Sequence, residues 1–168
     1  MDYLIIALKG NCNAVNSELP ANSPSRNLAA LWIRAAFHDM GTLDLSNTSF
    51  PGGPDATLVY TTNLNVNMGL KDSIANLFVT NTSLASKADL IALGGLVSVK
   101  HCGGPDVSFR GGRKDVAPAA VVLSNSQRLP GGNEPWPSVQ AKMIRMGFSP
   151  VDIAVLGGSL LCRCSRLY

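Results

Sequence analysis

The sequence predicts a mostly α-helical fold, arranged as a single domain over residues 1–168. Two observations support this expectation. Five segments combine helix start or stop signals with helical spacing of apolar residues, and clear strand patterns are few. A chain of this length suits one domain with its own core, and its composition indicates neither disorder nor a membrane span.

The first half of the chain contains two predicted helices. The first starts near Ser23-Pro24-Ser25, where a capping serine and a proline favour a helix start, and runs to about Asp39. A loop rich in Gly, Pro, Thr and Ser follows over residues 41–57. The second helix is expected over about 65–79.

A third helix is predicted after Ser86. Asp89 stands at the capping-box position, the helix runs to His101, and the segment Gly103-Gly104-Pro105 ends it. Residues 109–126 are expected to form a loop with short extended pieces.

Two more helices are predicted near the carboxyl end. Trp136-Pro137-Ser138 opens the fourth, which ends at Met146-Gly147, where glycine suits a left-handed stop. Ser149-Pro150 starts a fifth, short helix, for which Gly157-Gly158 predicts an interruption.

Composition excludes several classes of partner. The net charge is +3 and the basic residues form no stripe, so nucleic acid is not expected. The apolar run Leu4–Leu8 is too short to span a membrane and is a poor signal peptide, so no membrane association is expected either. A monomer is the expected state.

The cysteines and the glycosylation signals bear on location. The four cysteines are Cys12, Cys102, Cys162 and Cys164. None of them forms a C-x-x-C pair and only two histidines are present, so a structural zinc site is not expected, whereas two disulfides or free thiols both remain open. Sequons at Asn47 and Asn81 favour secretion, so an extracellular location is predicted.

An arginine and a histidine share one face of the first predicted helix. Arg34, Phe37 and His38 are spaced i, i+3, i+4. The ordinary interpretation is that Arg34 extends to water and that His38 is a satisfied core or surface histidine. The functional interpretation is peroxide cleavage, in which a neutral imidazole takes and returns a proton and a guanidinium stabilises the leaving oxygen.

The string LWIRAAFHD over residues 31–39 resembles the distal-helix motif of the plant-type haem-peroxidase superfamily, and it looks closest to the fungal secreted members. The resemblance covers roughly residues 27–156. It implies a haem-peroxidase-like helical domain with haem b as cofactor. It also implies that His38 is the acid–base residue, that Arg34 stabilises the transition state and that Phe37 shapes the pocket.

Two further segments strengthen this resemblance. Gly53-Pro54-Asp55-Ala56-Thr57 is similar to the distal calcium loop of the family, which implies calcium ligands from Asp39, Gly53, Asp55 and Thr57, although an ordinary Asp-containing turn is the alternative. Asn67-Met68-Gly69-Leu70 is similar to the N-x-G-L segment of the family. In that segment the asparagine accepts the imidazole N–H of the distal histidine, so the resemblance adds Asn67 to the site.

A longer stretch is similar to the central helix of the family and to its G-G-P and G-R-x-D signatures. It comprises residues 88–99, then 103–105, then Gly112-Arg113-Lys114-Asp115. Its implied role is architectural, because Gly94 and Gly95 permit close packing.

The pattern departs from the family where a proximal histidine is expected. Residues 152–159 match the approach to that histidine, but Leu160 stands in its place, and residues 160–168 are unlike the family. A shifted reading frame, an altered splice or a truncated gene would each give this pattern, and the proximal part is expected to be incomplete. His101, Cys162 and Cys164 are alternative candidates for the axial ligand.

The resemblance therefore implies a haem peroxidase that reduces hydrogen peroxide and oxidises a small, phenolic-type donor. The alternative is an inactive, truncated peroxidase-like protein that binds haem weakly or not at all. A haem spectrum distinguishes the two.

Overall fold

A computed structural model describes residues 27–79, 85–121, 127–131 and 133–161. Within these ranges the elements are α1 Leu28–Met40, α2 Lys71–Leu77, α3 Lys87–His101, α4 Trp136–Arg145 and α5 Pro150–Leu161, with 3₁₀ helices at Thr57–Tyr60, Asn65–Asn67 and Pro118–Ala120. The mostly α-helical class predicted from the sequence is confirmed. None of the helices described is long and apolar enough to cross a membrane.

The bounds of three helices differ from the prediction. α1 begins at Leu28, because the Asn27 side chain accepts a hydrogen bond from the amide of Ala30 at 3.3 Å and caps the helix there; the predicted start at 23–25 lies outside the described residues. The second predicted helix is divided, since Gly69 has a φ of 81° and separates the short 3₁₀ turn from α2. α5 runs through Gly157-Gly158 without the predicted interruption.

The core is built on the contact between α1 and α3. Trp32 of α1 is fully buried, and its indole N–H donates to the carbonyl of Ser73 in α2 at 2.9 Å. A Cβ added to Gly95 would lie 2.9 Å from the Cβ of Ala36, so the two helices approach as closely as a glycine allows. Gly94 faces Leu77 in the same way, as the sequence predicted for this glycine pair.

The amino-terminal end of α3 is held by four polar side chains. Ser86 caps the helix by accepting from the amide of Asp89 at 3.0 Å, and the Asp115 carboxylate accepts from the amides of Lys87 and Ala88 at 3.0 and 2.9 Å. Asp89 pairs with Arg113 at 2.9 Å. Burial alone would raise the pKa of Asp89, but hydrogen bonds from residues 112 and 113 outweigh it and hold this pKa below its usual range. The predicted architectural role of this segment therefore has a physical basis.

Two arginines form hydrogen bonds to the backbone of the loop that follows α1. Arg145 of α4 donates to the carbonyls of Leu43 and Gly41, the latter at 3.2 Å. Arg128 donates to the carbonyls of Thr42 and Phe50 at 3.0 and 3.2 Å. Their guanidinium groups satisfy backbone acceptors that a loop otherwise leaves to water, which fixes the carboxyl end of α1.

A second apolar cluster joins α1 to the last two helices. Met143, Met146 and Ile153 are buried together, and Phe37 and Met40 of α1 pack against them. The carboxyl end of α1 is therefore enclosed by α4 and α5.

We expect Gly95→Ala to destabilise the chain by about 1–3 kcal/mol, because the new methyl group would force α1 and α3 apart. Equilibrium unfolding in urea measures this. A double variant that adds Ala36→Gly removes the opposing methyl and should regain part of the loss. Equal stability of Gly95→Ala and the unsubstituted chain would show that the contact is looser than described.

Candidate active site

One turn of α1 places an arginine against a histidine. The Nε of Arg34 lies 3.3 Å from the Nε2 of His38, and both side chains are half-buried. Phe37 stands beside them, with its ring centroid 6.2 Å from that of His38 and its plane turned by 71°. Because Phe37 also packs against the cluster formed with α4 and α5, this wall of the site is held from two sides.

Three successive residues opposite α1 orient both polar side chains. The carbonyls of Val66 and Met68 accept hydrogen bonds from the two terminal nitrogens of Arg34 at 3.1 and 2.9 Å. Between them, the Oδ1 of Asn67 lies 2.8 Å from the Nδ1 of His38. Gly69, with its positive φ, ends this turn and lets the chain reverse into α2.

The hydrogen-bond partners define the tautomer of His38. A guanidinium can only donate, so the Nε2 that faces Arg34 must be the unprotonated nitrogen. The proton is then on Nδ1, which donates to the Oδ1 of Asn67. This leaves Nε2 as a base next to a fixed positive charge.

Asn67 itself is held from its far side. It is 2% exposed, and its Nδ2 donates to the carbonyl and to the hydroxyl of Thr61 at 2.9 and 3.0 Å. The amide orientation that gives Oδ1 to His38 is the one that satisfies every partner.

The environment favours the neutral form of His38. Burial is the largest cause and lowers its pKa, the hydrogen bond to Asn67 raises it, and the positive charge of Arg34 lowers it again. The net pKa lies below the usual value, so the imidazole is a free base at neutral pH.

Asp39 points away from this pair and holds the following loop. Its two carboxylate oxygens accept from the amides of Ala56 and Leu58 at 3.0 and 3.1 Å. Ala56 is in the left-handed region, with a φ of 64°, so these bonds support a backbone conformation that costs energy. Burial raises the pKa of Asp39 to about 7, opposed by those two amides and reinforced by the charges of Asp55 and Asp115.

The predicted calcium ligands lie at the carboxyl end of α1, which contains Asp39, and in the loop that follows it. The hydroxyl of Thr42 donates to the carbonyl of Asp39 at 3.0 Å and lies 3.4 Å from that of Gly53, and Asp55 accepts from the amide of Thr57 at 2.9 Å. Among the described residues, no three His, Cys, Asp or Glu side chains form a group arranged to hold a metal.

Sequence reasoning missed several contributors to the site. Thr61 gave no signal, because a lone threonine in a loop has no distinctive spacing. The carbonyls of Val66 and Met68 act through the backbone, to which residue identity gives no clue. Thr42 was likewise not singled out.

Only some of the alternative candidates for the axial ligand lie within the described residues. Residue 160 lies in the last turn of α5, whose sequence contains no histidine. His101 ends α3, and its Nε2 is buried without a hydrogen-bond partner in the described part of the chain. Cys102 is disulfide-bonded, whereas Cys12, Cys162 and Cys164 lie outside the described residues.

Comparison with known proteins places this helix pair and its Arg–His–Asn site in a family. The family described as Peroxidase matches residues 13–160. The chain belongs to the haem-peroxidase superfamily. It is 34% identical over 147 residues to L-ascorbate peroxidase 5, peroxisomal, of Arabidopsis thaliana, covering 84% of this chain and 50% of the relative.

Two other relatives give a similar result. L-ascorbate peroxidase 3 of Arabidopsis thaliana is 30% identical over 145 residues, which cover 84% of this chain and 48% of the relative. Cytochrome c peroxidase, mitochondrial, of Candida albicans is 31% identical over 139 residues, 80% of this chain and 37% of the relative. The chain thus spans about half the length or less of these proteins.

The extracellular location predicted from the sequence is wrong. Several relatives are named as peroxisomal, mitochondrial or cytosolic peroxidases, rather than as secreted enzymes. Asn47, one of the two sequon residues, accepts from the amides of Ser49 and Phe50 at 3.2 and 3.0 Å, so its side chain has a turn-forming role that explains its presence. Asn81 lies outside the described residues.

We expect substitutions of Asn67 to move the pKa of His38 in opposite directions. Asn67→Val removes the bond that raises this pKa and should lower it further, whereas Asn67→Asp adds a carboxylate and should raise it. Each change should alter proton affinity on the order of tenfold, which is about 1.4 kcal/mol. An NMR titration of the His38 ring measures it. Asn65→Ala, an exposed asparagine of the same 3₁₀ helix, is the control, and shifts of the same sign in both Asn67 variants would contradict this arrangement.

Proposed function

We propose that this chain is the distal part of a haem peroxidase, which reduces hydrogen peroxide to water at the expense of a small donor. One observation carries the proposal. The Arg34–His38–Asn67 chain of hydrogen bonds leaves the Nε2 of His38 unprotonated within 3.3 Å of a guanidinium. That pairing is what heterolysis of a peroxide bond requires.

The residues of the site would divide the work as follows. The Nε2 of His38 takes the proton from the near oxygen of the peroxide and returns it to the departing oxygen, which leaves as water. Arg34 stabilises the negative charge that develops on that oxygen, and its two backbone acceptors keep it in place. Asn67 retains the Nδ1 proton, so that the same ring nitrogen acts as base and then as acid.

Haem, when bound, supplies the redox centre that stores the two oxidising equivalents of the peroxide. On the distal side, the residues fit this group: a base, a fixed cation and an aromatic wall lie together on α1. At the sequence position where the resemblance predicts the proximal ligand, the chain has Leu160, which has no lone pair to offer a metal. The alternative of an inactive peroxidase-like protein rests on the absence of a histidine at this position.

An open surface depression beside the site supports a small donor. It has a volume of about 360 Å³ and is lined by Leu64, Asn65, Val66, Gln127, Leu129, Gly131 and Glu134. Val66 connects this depression to the site, because its carbonyl holds Arg34. A space of this size, with aliphatic walls and a few amide and carboxylate groups, suits a small organic reductant such as a phenol or ascorbate.

A test of the function separates the two sides of the haem. The purified chain, supplied with haem, should give weak turnover of hydrogen peroxide with a phenolic donor. Free imidazole, or Leu160→His, should raise the rate at least on the order of tenfold by supplying the missing ligand. Val155→His, an exposed position of the same helix, is the matched control. His38→Ala should abolish the increase in rate that imidazole or Leu160→His gives. Turnover that His38→Ala leaves unchanged would refute the proposal.

We also propose that calcium binds beside the distal helix, with Asp39, Gly53, Asp55 and Thr57 as ligands. The supporting observation is electrostatic: burial above all raises the pKa of Asp39, the charges of Asp55 and Asp115 add to this, and a cation would offset both effects. The carbonyls of Asp39 and Gly53 already approach one hydroxyl, that of Thr42.

Calcium should therefore raise the melting temperature. At a concentration about 100-fold above Kd, the free energy of unfolding should increase by about 2.7 kcal/mol. The effect should be larger at pH 8 than at pH 5, because Asp39, with a pKa of about 7, is ionised and binds the cation only at the higher pH. Asp55→Asn should reduce the effect and magnesium should not reproduce it. A melting temperature that is the same with calcium and with chelator at pH 8 would exclude the site.

A further inference from the structure

Thr61 links Asn67 of the site to the 3₁₀ helix Thr57–Tyr60. This residue follows the 3₁₀ helix Thr57–Tyr60 and is 2% exposed. Its hydroxyl lies 3.2 Å from the carbonyl of Thr57 and 3.3 Å from that of Leu58. Because a carbonyl only accepts, the hydroxyl must be the donor in these contacts. Since its single proton is used there, the oxygen faces Asn67 as an acceptor.

We propose that Thr61 is a positioning residue of the site, which sets the tautomer of His38 through the amide of Asn67. An asparagine amide can turn over, exchanging its oxygen and nitrogen at little cost in shape. Turned over, Asn67 would present Nδ2 to His38 and Oδ1 to two acceptors of Thr61. The hydroxyl and the carbonyl of Thr61, at 3.0 and 2.9 Å from Nδ2, both disfavour that state.

The consequence for His38 follows directly. With Oδ1 towards the ring, the proton stays on Nδ1 and Nε2 remains the base. With Nδ2 towards the ring, Nδ1 would have to accept, and the proton would move to Nε2, where it would face the Nε of Arg34. Thr61 therefore favours the catalytically competent tautomer, together with the Nε–H of Arg34, without contacting the reacting atoms. The catalytic relevance of this inference rests on the proposed function. The tautomer of His38 can be measured without it.

The test compares Thr61→Val, which keeps the shape and loses the hydroxyl, with Thr61→Ser, which keeps the hydroxyl. In the full chain without haem, ¹⁵N chemical shifts of the His38 ring at fixed pH report which nitrogen carries the proton. The Nδ1–H form should dominate in the unsubstituted chain and in Thr61→Ser, and Thr61→Val should show both tautomers. Should Thr61→Val fail to fold, Thr61→Ala removes the same hydroxyl with less crowding, and the same shift is expected.

A matched control removes a buried hydroxyl elsewhere. Ser98 is fully buried in α3 and donates to the carbonyl of Gly94 at 2.8 Å, with no connection to His38. Ser98→Ala should lose stability and leave the His38 shifts unchanged. With haem and imidazole present, kcat/KM for hydrogen peroxide should fall on the order of tenfold in Thr61→Val and recover in Thr61→Ser.

The outcomes separate the two proposals. An unchanged Nδ1–H tautomer in both Thr61→Val and Thr61→Ala overturns the role of the Thr61 hydroxyl, whatever the activity. A mixed tautomer in Thr61→Val, in a chain that shows no turnover under any condition, supports the role of Thr61 and refutes the proposed function. A mixed tautomer in Thr61→Ser as well would assign the effect to packing by the methyl group and overturn the hydroxyl-based account.

Discussion

The close contact of α1 with α3 constrains the rest of the structure. At Ala36 and Gly95 the two helix surfaces approach to the limit set by a single methyl group, which fixes the rotation of α1 about its axis. Once that rotation is fixed, Trp32 is directed into the core, and Arg34 and His38 are directed towards the turn at 66–68. The geometry of the site is therefore a consequence of helix packing more than of the site residues themselves.

Much of this arrangement could be predicted from the sequence, because it depends on local periodicity and on side-chain identity. The i, i+4 spacing of Arg34 and His38 gave their shared face, and Ser86 and Gly147 gave the start of α3 and the end of α4. Asn67 was found through its likeness to a family segment and through the glycine two residues later. Signals of this kind are short-range, and a single sequence expresses them directly.

What could not be predicted depends on long-range or backbone contacts. Thr61 reaches Asn67 only because the chain folds back over six residues, and the acceptors of Arg34 are carbonyls that every residue possesses.

The interruption expected at Gly157-Gly158 did not occur, since glycine lowers helix propensity by only about 1 kcal/mol and the helical pattern on either side can outweigh it.

The turn at 66–68 has one more consequence, for the way in which the site can come apart. Two carbonyls and one amide from three successive residues hold the guanidinium and the imidazole at the same time. An opening of that turn would release both groups together. Hydrogen exchange at the backbone amides of Asn67 and Met68, which donate to the carbonyls of Leu64 and Asn65, would report how often this turn opens.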